Sequence, residues 1–419
     1  MITTMDLNAN LTQVDIAIVG GAMVGAIAAL GLAEQAKRLG KPLRIAVIEA
    51  HQSGQQASGF DARAIAVAHG SIFALKQIGL WPHLAKLGTA ITDIHVSDRG
   101  HFGMTEINAE RFHLDALGQV VELTRVGQQL EALLQKSDIT YYCPASLTTI
   151  NSTARQHTLT LDDGRQIACQ LLVAADGLNS QVRTLQQQPL AVDEFGQSAI
   201  IANVTCSKPH QHMAYERFTE HGPLALLPMA DSEGQPRLSL VWAMATPLLQ
   251  QHLALADEDF LQALQQAFGN RAGEFVKVGE RHSYPLALSQ MPRPAYHRTL
   301  YIGNAAQTLH PIAGQGFNLG LRDVMALIDV VGVALAQNGD VGGVKVIHDY
   351  LASRTQDRRE TIANIALLVR GFSNQHWPLV AGRNLGLRML SWFPPLKAPV
   401  AQRAMGWQGR QQSILWTRS

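Results

Sequence analysis

Thr299 to Ile302 reads as a short apolar strand that runs into Gly303-Asn-Ala-Ala-Gln-Thr-Leu-His-Pro-Ile-Ala-Gly-Gln-Gly316, and a helical pattern then begins near Phe317 and continues past Leu335. A strand, a glycine-rich turn and a helix start in that order restrict what the chain can become. The first N–H groups of a helix have no partner inside it, so such a turn seats a phosphate or another anion. Glycines at 314, 316 and 320 let a flat group lie against bare backbone. The same order occurs near the N-terminus, where Asp15-Ile-Ala-Ile-Val-Gly-Gly-Ala-Met-Val-Gly25 is a buried-strand run and a turn before the Ala-rich helix Ala26 to Leu39. A second strand, Arg44 to Ile48, ends in Glu49. This is the βαβ dinucleotide pattern, in which the pyrophosphate meets the helix N-terminus and the acid holds a ribose hydroxyl. Gly20, Gly21, Ala22, Gly25 and Glu49 are its candidate contacts, with Ala22 in place of the usual middle glycine.

Between the two turns lies a third signal. Tyr141 to Leu161 gives strands, Asp162-Asp-Gly164 a hairpin turn, and Gln166 to Ala174 a return strand that ends in Ala175-Asp-Gly-Leu-Asn-Ser-Gln-Val-Arg183. An acid and a glycine at the C-terminal end of a strand put a hydrogen-bond acceptor and a close backbone approach in the ligand crevice. Asp176 and Gly177 are therefore candidates; a turn with Ser180 as a helix N-cap is the plainer alternative.

With these three motifs in this order, the chain resembles the class A flavin-dependent aromatic hydroxylases, and within them the ubiquinone-biosynthesis branch. The resemblance covers most of residues 14–325. It implies an α/β fold with a Rossmann-like FAD-binding domain of the p-hydroxybenzoate hydroxylase type, a second α+β substrate domain and a helical C-terminal tail. The domain boundaries read as 1–186 and 299–345 for the FAD-binding domain, with 79–122 bordering the substrate lobe, 187–298 for the substrate domain and 346–419 for the tail. Two residues depart from the wider family, Asn304 where Asp is usual and Gln307 where His is usual. Asn304 can still accept a hydrogen bond from a ribityl hydroxyl. Gly303, Asn304, Gly314, Gly316 and Asn318 are the cofactor contacts this segment implies.

The resemblance also carries roles onto other positions. Phe60-Asp-Ala-Arg63 matches the segment in which an arginine reaches the FAD phosphates, a task suited to a planar fork of donors, with Asp61 as a partner that orients Arg63. The plainer alternative is a surface arginine at the start of an Ala-rich helix, Ala64 to Ile78. On the helix Val126 to Leu134, Arg125 and Gln128 match residues presented towards FAD, or else form a solvated helix start. Asp176 and Gly177 serve FAD in the same scheme, in a motif also implicated in nicotinamide nucleotide binding. Gly222 to Pro228 resembles a wall of the active site, so that Leu224, Leu226 and Trp242 line a prenylphenol pocket or belong to a plain sheet core.

The chemistry implied is NAD(P)H reduction of FAD, reaction with dioxygen to a flavin hydroperoxide, and oxygen transfer to the ring of 2-polyprenyl-6-methoxyphenol. The backbone carbonyl of Pro311 would accept the phenol's hydrogen bond, and His310 beside it would relay a proton or serve as a structural residue of the turn. Alternatives within the same fold are a sister hydroxylase acting at another ring position and an FAD dehydrogenase that inserts no oxygen.

Composition narrows the remainder. A net charge of +1 with 16% charged residues gives no excess for nucleic acid. Cys143, Cys169 and Cys206 have no metal spacing and read as reduced thiols of a cytosolic protein. Asp15 and the glycines at 20, 21 and 25 interrupt the apolar run Val14 to Ala33, which is a strand and turn rather than a membrane span. Strand-like segments at 198–205, 213–218, 224–228 and 238–243 and a helix at 257–268 build the second lobe. Val344 to Arg370 is an amphipathic helix, and Trp377, Trp392 and Phe393 then mix with Arg383, Arg388, Lys397 and Arg403. That mixture suits peripheral contact with an anionic membrane or with other ubiquinone-biosynthesis proteins, or packing on its own domain.

Overall fold

The strand Leu11–Val19 sits in the middle of a sheet ordered Ala295–Tyr296, Thr299–Tyr301, Gln166–Ala174, Leu11–Val19, Ile45–Ile48, Thr140–Tyr142. The computed structural model describes residues 11–52, 61–99, 103–309, 315–372 and 405–406. Leu11–Val19 pairs in parallel with both of its neighbours, and Gln166–Ala174 pairs in parallel with Thr299–Tyr301. Parallel strands buried on both faces read as unbroken apolar runs, which is the character of Ile16 to Val19. Ile16, Ile18, Val47, Leu171 and Val173 pack under the helices Met23–Leu39 and Gln315–Ala336. Ala17, Val19, Ala46, Ile48 and Leu172 face the other way, onto the hairpin Leu147–Ser152/His157–Leu161. The two helices cross closely at Gly31, where a Cβ would lie 2.5 Å from Ile328 Cδ1.

The second lobe is a nine-stranded sheet, with the path Gln307–Thr308, His282–Gln290, Ala191–Cys206, Gln235–Ala245, Pro223–Ser232, Met213–Phe218, Asp93–Asp98, Met104–Asn108. Residues 79–122 are thus shared between sheets: Asp93–Asp98 and Met104–Asn108 extend the large one, while Gly88–Ile91 and Gly118–Glu122 join Ala64–Ala68 in a three-stranded sheet. One face of the large sheet carries the helices Thr246–Leu253 and Asp257–Phe268. The opposite face meets the three-stranded sheet, through Ala214, Leu227 and Met229 packed with Ala64, Ala66, Ile91 and Val120. Asn203 Nδ2 donates to Ala62 O at 2.8 Å across this seam, and Arg237 pairs with Glu122.

The Ala-rich helix expected over 64–78 is a strand, Ala64–Ala68, followed by a helix, His69–Gln77. Ala64–Ala68 pairs residue for residue with Gly118–Glu122, and this ladder, with β-branched Ile65 and Val67, overrides the helical preference of alanine. The C-terminal helix runs Val344–Phe372. The aromatic and basic residues at 377–403 lie outside the described residues. Further on, Met405 is buried with Ile107, Ala109 and Leu117, and its carbonyl accepts from Gly70 N at 2.8 Å. Among the described residues, no helix is long and apolar enough to cross a membrane, and no group of three or more His, Cys, Asp or Glu is placed to hold a metal.

Candidate FAD site

Three strand ends and two helix starts converge. At the first, Gly20 has φ +98°, and a Cβ there would lie 2.5 Å from Ala175 O, so the turn after Leu11–Val19 is pressed against the end of Gln166–Ala174. A Cβ on Gly25 would sit 1.8 Å from Gly20 O, which only a bare backbone avoids. The helix Met23–Leu39 begins at Ala22 with no side-chain cap and no acidic residue in its first turn. Its leading N–H groups and the positive end of its dipole are left for an anion from outside the chain. Glu49 lies across this turn: Oε2 accepts from Gly21 N at 2.5 Å and Oε1 from His51 N at 2.9 Å.

Asp176 follows the neighbouring strand. One oxygen, Oδ2, accepts from Val182 N at 3.1 Å, whereas Oδ1 is buried with no hydrogen-bond partner. Burial holds its carboxyl above the usual range. An orphaned buried acceptor beside an uncapped helix start fits a ligand that brings its own hydroxyl groups. Gly177 has φ +81° and turns the chain away. Ser180 does cap the short helix Gln181–Leu185, accepting from Arg183 N at 3.0 Å, and this cap leaves Asp176 Oδ1 unpartnered. Arg183 ties this loop to the second turn by donating to Ala305 O at 3.0 Å and to Leu178 O.

In the second turn Gly303 has φ +57° and lies under Val24 of the first helix, while a Cβ on Gly320 would come 3.2 Å from both Gly303 Cα and Val24 Cγ2. Gly316 is different, since a Cβ there would meet nothing within 4 Å. It opens the helix Gln315–Ala336 onto free space, as a cofactor seat requires. Asn304 is exposed. Asn318 is buried; Ala68 N and Ser71 Oγ donate to its Oδ1 and its Nδ2 donates to Ala66 O, which ties the start of this helix to the strand Ala64–Ala68. His310, Pro311 and Gly314 lie outside the described residues.

Gln307 stands where the wider family has histidine, and the structure accounts for it. Its Nε2 donates to Asp323 Oδ2 at 2.7 Å, its Oε1 accepts from Arg358, and the same Asp323 oxygen accepts from Gly303 N at 3.1 Å. Arg354 donates to the other Asp323 oxygen at 2.8 Å and pairs with Asp357, which also meets Arg322. A buried ionic network beneath the turn therefore anchors it to the C-terminal helix. The partners of Asp323 and Gln307 are 16 to 51 residues away from them in sequence, so no local pattern announces them.

Two other expectations change. Asp61 does not orient Arg63: its Oδ1 accepts from Glu280 N at 2.8 Å, and Arg63 donates to Tyr284 Oη at 2.8 Å across the two lobes. Arg125 and Gln128 are exposed on the helix Leu123–Gln135, which suits either of their two readings. Leu224, Leu226 and Trp242 do not line a pocket. They are 0–2% exposed and pack with Leu249, Phe260 and Leu264 beneath the lobe's own helices, Trp242 lying edge-on to Phe260. The strand was identified, but a period of two cannot say which face looks at the flavin lobe. Replacing Trp242 by Ala should cost about 3–5 kcal/mol of stability, leaving the affinity of the folded fraction for substrate unchanged; thermal melts and steady-state kinetics measure the two. A raised KM at unchanged stability would put the indole back in the pocket.

The comparisons agree with this geometry. The FAD binding domain family matches residues 13–362. Ubiquinone hydroxylase UbiL of Rhodospirillum rubrum is 34% identical over 94% of this chain and 89% of its own. 3-Demethoxyubiquinol 3-hydroxylase of Escherichia coli is 30% identical over 94% of this chain and 98% of its own. Among solved structures, p-nitrophenol 4-monooxygenase PnpA of Pseudomonas putida DLL-E4 superimposes with a TM-score of 0.76 at 15% identity, covering 96% of this chain and 100% of that one, which speaks for the fold. A single-residue variant of HpxO from Klebsiella pneumoniae, solved with FAD, has a TM-score of 0.71 at 15% identity over 94% and 99% of the two chains. The chain belongs to the FAD binding domain family, as an FAD-dependent monooxygenase of the group that contains the ubiquinone-biosynthesis hydroxylases.

Proposed function

We propose that the protein hydroxylates the aromatic ring of a 2-polyprenyl-6-methoxyphenol on the way to ubiquinone, with dioxygen as co-substrate and NAD(P)H as reductant. The observation that carries this reading is the sheet face turned towards the flavin lobe. Ala225 and Val241 make an apolar row between the row that meets Ala62 and the row of Ala199, Ala243 and Tyr284, which holds Arg63. Both are half-buried, and their small side chains offer a flat ring an apolar surface. A prenyl tail adds roughly 0.8 kcal/mol for each CH2 it buries, so the tail supplies affinity and the ring's placement decides the position attacked.

Each part of the chain has a task in this scheme. Gly20, Gly21, Ala22 and Gly25 seat the pyrophosphate at the first helix, Glu49 takes a ribose hydroxyl, and Asp176, Gly177, Gly303, Asn304, Gly316 and the helix start at Asn318 hold the remainder of FAD. When reduced, FAD activates dioxygen for transfer of one oxygen atom. The chain's part is to exclude water from that site and orient the ring, with His310, beside Pro311, given the relay of the phenol proton as the ring reacts. Substrate and tail chemistry favour peripheral work at a membrane surface.

A sister reaction at another ring carbon is the second reading, supported by the 30% identity with 3-demethoxyubiquinol 3-hydroxylase. Mass spectrometry of prenylated phenols in a strain lacking the gene separates the two. Accumulation of 2-polyprenyl-6-methoxyphenol, cleared by a restored copy, is the expected result. Accumulation of a later quinone precursor would move the reaction to the other position, and unchanged quinone levels would remove the pathway assignment.

A further inference from the structure

Glu216 lies on Met213–Phe218, a strand in which Tyr215 and Arg217 turn towards the lobe's own helices: Tyr215 stacks edge-on to Phe268, and Arg217 donates to Ala267 O at 3.3 Å. Alternation along the strand turns Glu216 to the opposite face. Its register neighbours form one continuous row, Val96, Glu216, Ala225, Val241, Ile201. On one side of this row, Leu227 and Asn203 meet the flavin lobe at Ala64 and Ala62. On the other side, Ala199 and Ala243 share a row with Tyr284, the partner of Arg63. Glu216 is therefore a carboxyl set in an apolar row, on the face proposed to receive the ring.

No described residue donates a hydrogen bond to it, yet it retains some accessible surface. Desolvation alone pushes the carboxyl up to about 8, which favours its protonated form at neutral pH. The ionisable groups nearest on this face are Asp98, two residues along the adjacent strand, the paired Glu122 and Arg237, and Arg63 and His282 beyond Val241 and Ile201. None of them contributes to the shift. A neutral carboxyl in an apolar row has one acceptor and one donor on its two oxygens. A phenol with an ortho ether presents the complement, a hydroxyl donor beside an ether acceptor.

Building on the function proposed above, we propose that Glu216 recognises the paired oxygens of an ortho-alkoxyphenol, accepting the phenol O–H and donating its own O–H to the ether oxygen. Glutamine retains one donor and one acceptor in the same shape, and methionine keeps the length and loses both. The test uses FAD-loaded protein and a 2-methoxyphenol carrying one prenyl group, with binding read from the change in flavin absorbance. At pH 7, Glu216→Gln should bind within about threefold of wild type, whereas Glu216→Met should bind about 10- to 100-fold more weakly.

Ionisation removes the donor, so wild-type affinity should be full well below pH 8 and fall as pH rises through about 8, while Glu216→Gln stays level. This second measurement needs no methionine variant to fold. The inference is overturned if methionine binds like wild type, if glutamine binds as weakly as methionine, or if wild type shows no fall. A wild-type protein that binds no phenol at all would instead contradict the proposed function, and this inference with it.

Discussion

Gly25→Ala should purify without its flavin. The added Cβ would lie 1.8 Å from Gly20 O, a backbone atom that cannot step aside unless the turn opens. Opening it withdraws the leading N–H groups of Met23–Leu39, and losing two charge-assisted hydrogen bonds at about 1.5 kcal/mol each weakens FAD roughly 100-fold or more. Ala22→Gly is the control, since it restores the commoner middle glycine at a site with ordinary φ of −68° and should leave affinity within about threefold. Fluorescence titration of the apoproteins with FAD measures both, and circular dichroism checks that the fold survives. A Gly25→Ala protein that binds FAD like wild type would mean the pyrophosphate does not sit on this turn.

Arg354→Met should be the most destabilising single change outside the apolar core. It leaves Asp323 and Asp357 buried at 1% and 7% exposure without the guanidinium that joins them. Removing one partner of a buried ion pair costs about 3–5 kcal/mol, because the remaining charge stays desolvated. Asp323 also receives Gly303 N and the Gln307 amide, so the loss should extend to the flavin turn. Melting curves with and without added FAD are the measurement: the apoprotein melts lower, and the stabilisation gained from FAD shrinks as well. If apoprotein stability falls while FAD affinity is retained, the network supports the helix Val344–Phe372 but not the turn.

The parts legible in the sequence are those with local causes. Gly20, Gly25 and Gly303 mark turns that follow apolar strands, and the Asp176-Gly177 motif at a strand end belongs to the same vocabulary; the structure brings all of them together. What escaped was set by tertiary contact. Ala64–Ala68 reads as helix until its partner strand is known. Leu224 and Trp242 read equally as pocket or sheet core, because strand alternation fixes two faces without saying which lobe covers each, and the structure makes them core. Glu216 was overlooked for the same reason, since an acid alternating with Tyr215 and Arg217 resembles an ordinary solvated edge until the flavin lobe is seen over that face. The Asp323, Gln307, Arg354 and Arg358 network draws on two helices and a turn, and no spacing within one segment could announce it.

Oxygen transfer is the central claim, and isotope labelling tests it most directly. Protein loaded with FAD is given NAD(P)H, a prenylated 2-methoxyphenol and 18O-labelled dioxygen, and the product is weighed by mass spectrometry. Incorporation of a single labelled atom on the ring, dependent on bound FAD, is the predicted result. A product free of label, or reductant consumed with the phenol unchanged at every ring position, would make the protein a flavin dehydrogenase or oxidase of the same fold and contradict the hydroxylase reading.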